Sequence, residues 1–262
     1  IDSDRFDEDR DEIVRAAHEA GVAVMLNIGT GDPHSDDFRK AVAVAEKYDN
    51  VFASVGVHPH DAKLYDDQAE HHLIDLAKSE KVIAWGEIGL DFYYDHSPRE
   101  VQREIFRRQI RTARELHLPV IIHSRDADDE TVAILRDESA GADFPGGIMH
   151  CFGGTPEMAT SLIDLGFLIS FAGNVTFKKA ENLREAARAV PIEKLLVETD
   201  CPFLTPEPFR GKRNEPAFVE HTAKFLANLY EVEFEELAQH TTQNFLKFFS
   251  LEMPVEAGLI SS

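Results

Sequence analysis

Seven short apolar runs punctuate the chain. Each is followed by a stretch in which apolar residues return every three or four positions. The runs are VAVMLNIG (22–29), VFASVGVH (51–58), KVIAWGEIG (81–89), PVIIHS (119–124), GGIMHCF (146–152), FLISFAG (167–173) and KLLVET (194–199). Near-continuous apolar character over so few residues suits strands buried on both faces of a parallel sheet. The stretches between them carry helix signals. In 97–117, Ser97 is placed to cap, Pro98 suits the first helical position and Glu100 completes a capping-box pattern. Segments 36–48, 155–166, 181–190, 215–230 and 233–249 show the same periodicity, and Gly166 marks a helix end. His71 and His72 lie in a helix-like stretch and are expected to face solvent.

Strand and helix alternating every roughly 25–35 residues predicts an α/β fold, a (β/α)8 TIM barrel. The helical stretch at 8–20 has no apolar run before it, so the first strand of such a barrel is missing from the chain and is expected upstream of Ile1. An open doubly wound sheet is disfavoured, because no glycine-rich phosphate loop follows any run; GTGDPH (29–34) has two glycines and lacks the rest of the pattern. One hydrolase-sized domain is expected over 1–250, with 251–262 a C-terminal tail.

Charge changes the picture. Lys and Arg number 27 against 48 Asp and Glu, a formal charge of −21. Such a surface repels nucleic acid at long range and excludes a simple electrostatic binder. It leaves room for phosphate contacts made locally, through metal ions or a few placed cations. Cys151 and Cys201, the two cysteines, are too far apart in sequence for a CxxC knuckle and supply no disulfide framework, which points to a reducing, cytoplasmic setting. No apolar run approaches the ~20 residues of a membrane span. A monomer or weak oligomer without membrane contact is expected.

The candidate chemistry sits where the apolar runs end, which in a barrel is the active-site face. There the chain places His58 and His60, Glu87 and Asp91, His123, Arg125 and Asp126, His150, and Glu198 and Asp200. Imidazoles and carboxylates from separate strands converge on one mouth if the barrel closes. Together they suit Zn²⁺, Mn²⁺ or Fe²⁺ better than Mg²⁺, and a bound metal makes hydroxide near neutral pH. Asp200 is placed to orient that water or take its proton. His58 is expected at the substrate or behind a ligand, His60 as structural, and Arg125 toward substrate. The loop 201–216 carries Arg210, Lys212 and Arg213. It reads either as an exposed loop that balances charge locally or as a phosphate clamp. Phe92, Phe152, Phe203 and Phe209 flank the same mouth, open to base stacking or to packing.

GVHPH (56–60), GEIGLDF (86–92), PVIIHSRDA (119–127), HCFGG (150–154), ETDCPFLTP (198–206) and RGKRNEP (210–216), in this order, resemble the TatD family of metal-dependent deoxyribonucleases, within the amidohydrolase-like barrel superfamily. The resemblance covers about 1–249. It implies a site for two divalent ions, Mg²⁺ or Mn²⁺, with Zn²⁺ also compatible. Glu87 is implied as the ligand shared by both ions, His123 and His150 as further ligands, and Asp200 as ligand and water-orienting residue. Arg210, Lys212 and Arg213 are implied as phosphate contacts. The implied activity is hydrolysis of DNA phosphodiesters, often from the 3′ end. The departure is at the start: family members open with a strand ending His-X-His-Leu/Ile-Asp, of which Ile1-Asp2 matches only the last two positions. Other readings remain open at this stage: a lactonase, an amidohydrolase or a D-aminoacyl-tRNA deacylase on the same barrel, or a barrel that binds without cleaving.

Overall fold

The computed structural model describes residues 1–140 and 144–252. All seven runs form strands: β1 Met25–Ile28, β2 Val51–Val55, β3 Val82–Asp91, β4 Val120–Arg125, β5 Gly147–Met149, β6 Phe167–Phe171 and β7 Leu195–Val197. Each pairs in parallel with the next, so the sheet order is the chain order. The helices are α1 Arg10–Glu19, α2 Asp37–Lys47, α3 Asp67–Leu76, α4 Arg99–Glu115, α5 Asp128–Glu138, α6 Pro156–Asp164, α7 Glu181–Ala189, α8 Val219–Tyr230 and α9 Phe234–Phe248. None among the described residues is long and apolar enough to cross a membrane. The expected tail from 251 lies, from 253 onward, outside the described residues.

Two apolar clusters explain the continuous runs. Ala84, Ile121, Ile148, Leu168 and Leu196 come from five different strands yet form one cluster, with Leu26 and Ile28 of β1 packed against it. That is possible only if the sheet curls so that its concave face converges. Neighbouring positions such as Trp85, Ile122, Met149, Ile169 and Leu195 point the other way, into the core shared with the helices. Both faces are therefore buried. The result is a curled, parallel, TIM-barrel-like α/β fold.

Among the described residues β1 and β7 are the sheet's two edges. A cavity of about 710 Å³ runs along them, lined by Leu26, Ile28, Leu196 and Phe245, and reaches His58, Glu87 and Asp200. The strand expected ahead of Ile1 concerns residues outside this sequence. Ile1 and Asp2, expected as its last residues, lie outside any strand. Side chains hold this segment instead: the Ile1 nitrogen donates to Asn27 Oδ1 at 2.6 Å, and Arg10 Nε donates to the Ile1 carbonyl at 2.9 Å.

Two local expectations need correction. Ser97 does not cap α4, whose N-cap is Pro98. The Ser97 hydroxyl instead donates to the His60 carbonyl at 2.7 Å and accepts from the Lys63 N–H at 3.1 Å, tying the loop after β2 to the start of α4. His71 is exposed as expected, but His72 is half-buried and its Nε2 has no partner. Gly166 behaves as anticipated, turning the chain after α6 at φ +91°.

Candidate metal centre

The site is built by strand ends that α4 and a β-bulge hold in place. α4 buries Gln102 and Gln109 beside Ile105, Phe106 and Ile110, on one stripe of the helix. Two buried amides on an apolar face need partners, and both find backbone, one just past β2 and one at the end of β3. Gln109 accepts from Val57 N–H at 2.8 Å and donates to its carbonyl at 2.9 Å, which fixes the residue before His58. Gln102 accepts from Asp91 N–H at 2.8 Å and donates to its carbonyl at 3.0 Å, which fixes the end of β3.

Glu87 lies inside β3, not in a turn between its flanking glycines. Strand register shifts between Trp85 and Ile88, so Glu87 sits at an irregularity against β4. The glycines allow it. A Cβ on Gly86 would meet the Ile121 carbonyl oxygen at 2.5 Å, and one on Gly89 would meet that of His123 at 2.0 Å. Close backbone approach is what glycine in a strand interior signals.

Around Glu87 the expected residues converge. Its Oε1 lies 2.9 Å from His123 Nδ1, 3.6 Å from His150 Nε2 and 3.7 Å from His58 Nε2. His150 Nε2 is also 3.8 Å from Asp200 Oδ1. His58, Glu87 and His123 each offer a ligand atom within 4.8 Å of the others. His58, expected as a substrate contact or behind a ligand, thus stands among the donors themselves.

A second ring of carboxylates backs the imidazoles. Asp91 Oδ2 lies 3.1 Å from His123 Nε2 and 2.9 Å from His60 Nε2. Glu198 Oε1 lies 2.9 Å from His150 Nδ1 and accepts from Cys151 N–H at 3.1 Å. A carboxylate behind a ligating histidine sets its tautomer and raises its basicity. Asp91 and Glu198 stood at strand ends in the sequence without an assigned role, and the i, i+2 spacing of Glu198 and Asp200 was the available signal for Glu198.

The electrostatics fit a divalent cation. Glu87, Asp91, Glu198 and Asp200 converge, and among the described residues their ion-pair partners are histidines, with no Lys or Arg. Burial opposes charge on Glu87, but His150, His58 and His123 outweigh it and hold its carboxyl well below the usual range. Burial likewise opposes the His123 charge, yet Asp91 and Glu87 hold its pKa up at about 9. Burial drives His58 down to about 3 despite Glu87. Burial pushes Asp200 up to about 7; His150 opposes this, while Glu198 and Glu87 add to it. Pairs of groups pushed apart in this way mark sites of proton chemistry. His58, Glu87 and His123 could hold a metal ion, with His150 and Asp200 beside them as further candidate donors.

Burial, with Glu198 nearby, pushes the Cys151 thiol well above its ordinary range, which disfavours the reactive thiolate.

The cationic residues divide. Arg213 donates to the Arg5 carbonyl at 2.7 Å and to Asp9 Oδ1 at 3.0 Å, and its guanidinium lies 4.8 Å from the Phe6 ring centre. It ties the 201–216 loop to the segment before α1. Arg210 lies 3.8 Å over Phe177, beside Lys178 and Lys179 in a separate shallow cleft. Lys212 is exposed, with Nζ 5.0 Å from the Phe209 ring centre. Arg125 is exposed and lies 4.1 Å from the Tyr93 ring centre. Of the four phenylalanines, Phe92 and Phe152 are buried, Phe209 stacks on Phe218 at 4.8 Å, and Phe203 is exposed.

Comparison with known proteins matches this arrangement. The family model described as TatD related DNase matches residues 1–250. The uncharacterized metal-dependent hydrolase YabD of Bacillus subtilis (strain 168) is 42% identical over 251 residues, covering 96% of this chain and 96% of that protein. The 3'-5' ssDNA/RNA exonuclease TatD of Klebsiella pneumoniae (strain 342) is 34% identical over 258 residues, covering 97% and 96%. The crystal structure of YJJV, a TatD homolog from Escherichia coli K12, superimposes with a TM-score of 0.88 at 28% identity, covering 96% of this chain and 95% of that one.

Proposed function

Because the chain belongs to the family of TatD-related DNases and is a metal-dependent hydrolase, we propose that it hydrolyses phosphodiester bonds of DNA, removing nucleotides from the 3′ end, with divalent cations at the Glu87 centre. The observation that carries the reading is one carboxylate oxygen, Glu87 Oε1, with imidazole nitrogens of His58, His123 and His150 at 2.9 to 3.7 Å. Bound there, one or two ions, Mg²⁺ or Mn²⁺ with Zn²⁺ as the alternative, supply water acidic enough to ionise near neutral pH and offset phosphate charge.

The chain's own residues do the rest. Asp200 stands at the mouth, next to His150 and lining the cavity. It orients the attacking water and takes its proton. Arg125, Arg210 and Lys212 meet phosphates along the strand, a local contact that a chain of formal charge −21 needs. Two free thiols, Cys151 and Cys201, favour a cytoplasmic setting.

The test is nucleotide release from 3′-labelled and 5′-labelled single-stranded DNA with Mn²⁺ or Mg²⁺, for the parent and Asp200→Asn. Metal-dependent release that Asp200→Asn abolishes is expected. Hydrolysis of D-aminoacyl-tRNA or a lactone without nucleotide release would replace the reading with another hydrolase on this barrel.

A further inference from the structure

Large apolar side chains are buried almost throughout, and the exceptions share one place. Among the described residues the exposed large hydrophobic side chains are Tyr93, Tyr94 and Phe203, at 57%, 48% and 57% exposure. Tyr93 and Tyr94 follow β3, just past Asp91; Phe203 follows β7, just past Asp200, and lines the cavity with His58 and His60. All three stand on the strand-end face, beside the metal donors. Leaving a ring in water forgoes the gain of burying it, so three on one rim call for a partner.

The rings are also held. Asp91 Oδ1 accepts from the N–H groups of Tyr93 at 3.0 Å and Tyr94 at 2.9 Å, while its Oδ2 holds His123. The tyrosine ledge is thus tied to the same carboxylate that orients a metal donor. Arg125 lies 4.1 Å from the Tyr93 ring centre and 4.8 Å from that of Tyr94. Tyr94 stacks on His96 with planes 6° apart, and Arg5 lies 5.3 Å over Phe203. Every exposed ring therefore has a guanidinium against it. Aromatic faces for bases combined with cations for the backbone are the means of gripping single strands, since every base has a π-face. A duplex spends those faces on its own stacking.

We propose that Tyr93 and Tyr94 on one side of the centre, and Phe203 on the other, stack the unpaired bases next to the scissile phosphate. This rests on the nuclease reading above and assigns its base-binding residues.

The test uses the Mn²⁺-loaded full chain and two oligonucleotides of equal length, one normal and one with abasic residues at its 3′ end. kcat and KM are measured for the parent, Tyr93→Ala with Tyr94→Ala, Phe203→Ala, and Tyr93→Phe with Tyr94→Phe. Each alanine variant should raise KM on normal DNA roughly ten-fold and leave the abasic substrate unchanged, whereas the phenylalanine pair behaves as the parent. Since the rings are exposed, their removal spares the core, and Trp85 fluorescence checks the fold. Parent-like KM in the alanine variants overturns the proposal. So does an equal loss on both substrates, which would make Tyr94 only a prop for His60, whose ring it meets edge-on at 5.4 Å. A parent that cleaves neither oligonucleotide sinks the nuclease reading itself, and the stacking role with it.

Discussion

His150 Nδ1 lies 2.9 Å from Glu198 Oε1, while its Nε2 faces Glu87 and Asp200. The imidazole is thus held from behind, and a bound metal ion would leave its proton on Nδ1 toward Glu198 and take the Nε2 lone pair. Glu198→Gln keeps the shape and removes the charge. It should weaken metal binding about 10- to 100-fold with the fold intact, as read by calorimetric titration and circular dichroism. An unchanged affinity would show that Glu198 only anchors the Cys151 backbone.

Metal binding should strengthen as pH rises. Burial disfavours the His123 cation, but Asp91 and Glu87 hold its pKa at about 9, so at pH 7 a metal ion must displace its proton. Burial opposes the His150 cation as well, but Glu198 and Glu87 hold its pKa well above the ordinary range, so it too must release a proton, and from pH 7 toward 9 the affinity should climb by about ten-fold or more per unit. His58, at about 3, is already neutral and adds no proton. The same group sets a stability change in metal-free protein. A folded pKa raised above the ordinary 6.5 gives stabilisation that is full below 6.5 and lost as pH rises through about 9. A metal affinity independent of pH over that window would contradict the assignment.

Gly89 should tolerate no side chain. Its φ is +145°, and a Cβ would lie 2.0 Å from the His123 carbonyl oxygen. Gly89→Ala should cost at least about 2 kcal/mol and disturb His123, with metal affinity falling alongside the thermal midpoint. Gly153 is the control: a Cβ there meets nothing within 4 Å, and Gly153→Ala should stay within about 0.5 kcal/mol of the parent. Equal effects at the two positions would mean that backbone approach to β4 is not what selects glycine.

Arg210 and Arg213, two of three cations in one short loop, should behave differently. Arg213 is engaged by Asp9 and the Arg5 carbonyl, so Arg213→Ala should lower the thermal midpoint slightly and keep a parent-like KM for DNA. Arg210 sits over Phe177 beside Lys178 and Lys179. Arg210→Ala should raise KM roughly ten-fold if it contacts phosphate. A larger KM effect from Arg213→Ala than from Arg210→Ala would reverse these roles.

Much of the fold was legible because it rests on local patterns. The seven apolar runs became the seven strands, since burial on both faces leaves no alternation to confuse with a surface strand. Positions late in or just past the apolar runs likewise put Glu87, His123, His150 and Asp200 on one face, although Glu87 proved to lie inside β3 rather than at its end. Helix starts were less secure. Ser97 matches a capping pattern but spends its hydroxyl on the His60 carbonyl, a partner 37 residues away in the chain.

What the sequence determined by itself was periodicity, burial and the end of each strand at which polar groups gather, all consequences of interactions within a few residues. Only the tertiary structure decided who meets whom. The curl of the sheet brought Glu198 to His150, the glycine-permitted approach of β3 to β4 set Glu87 against His123, and Arg213 found Asp9 across 204 residues. The exposure of Tyr93, Tyr94 and Phe203 was invisible for the same reason. Whether a ring is buried depends on what packs over it, and strand register and curvature decide that together.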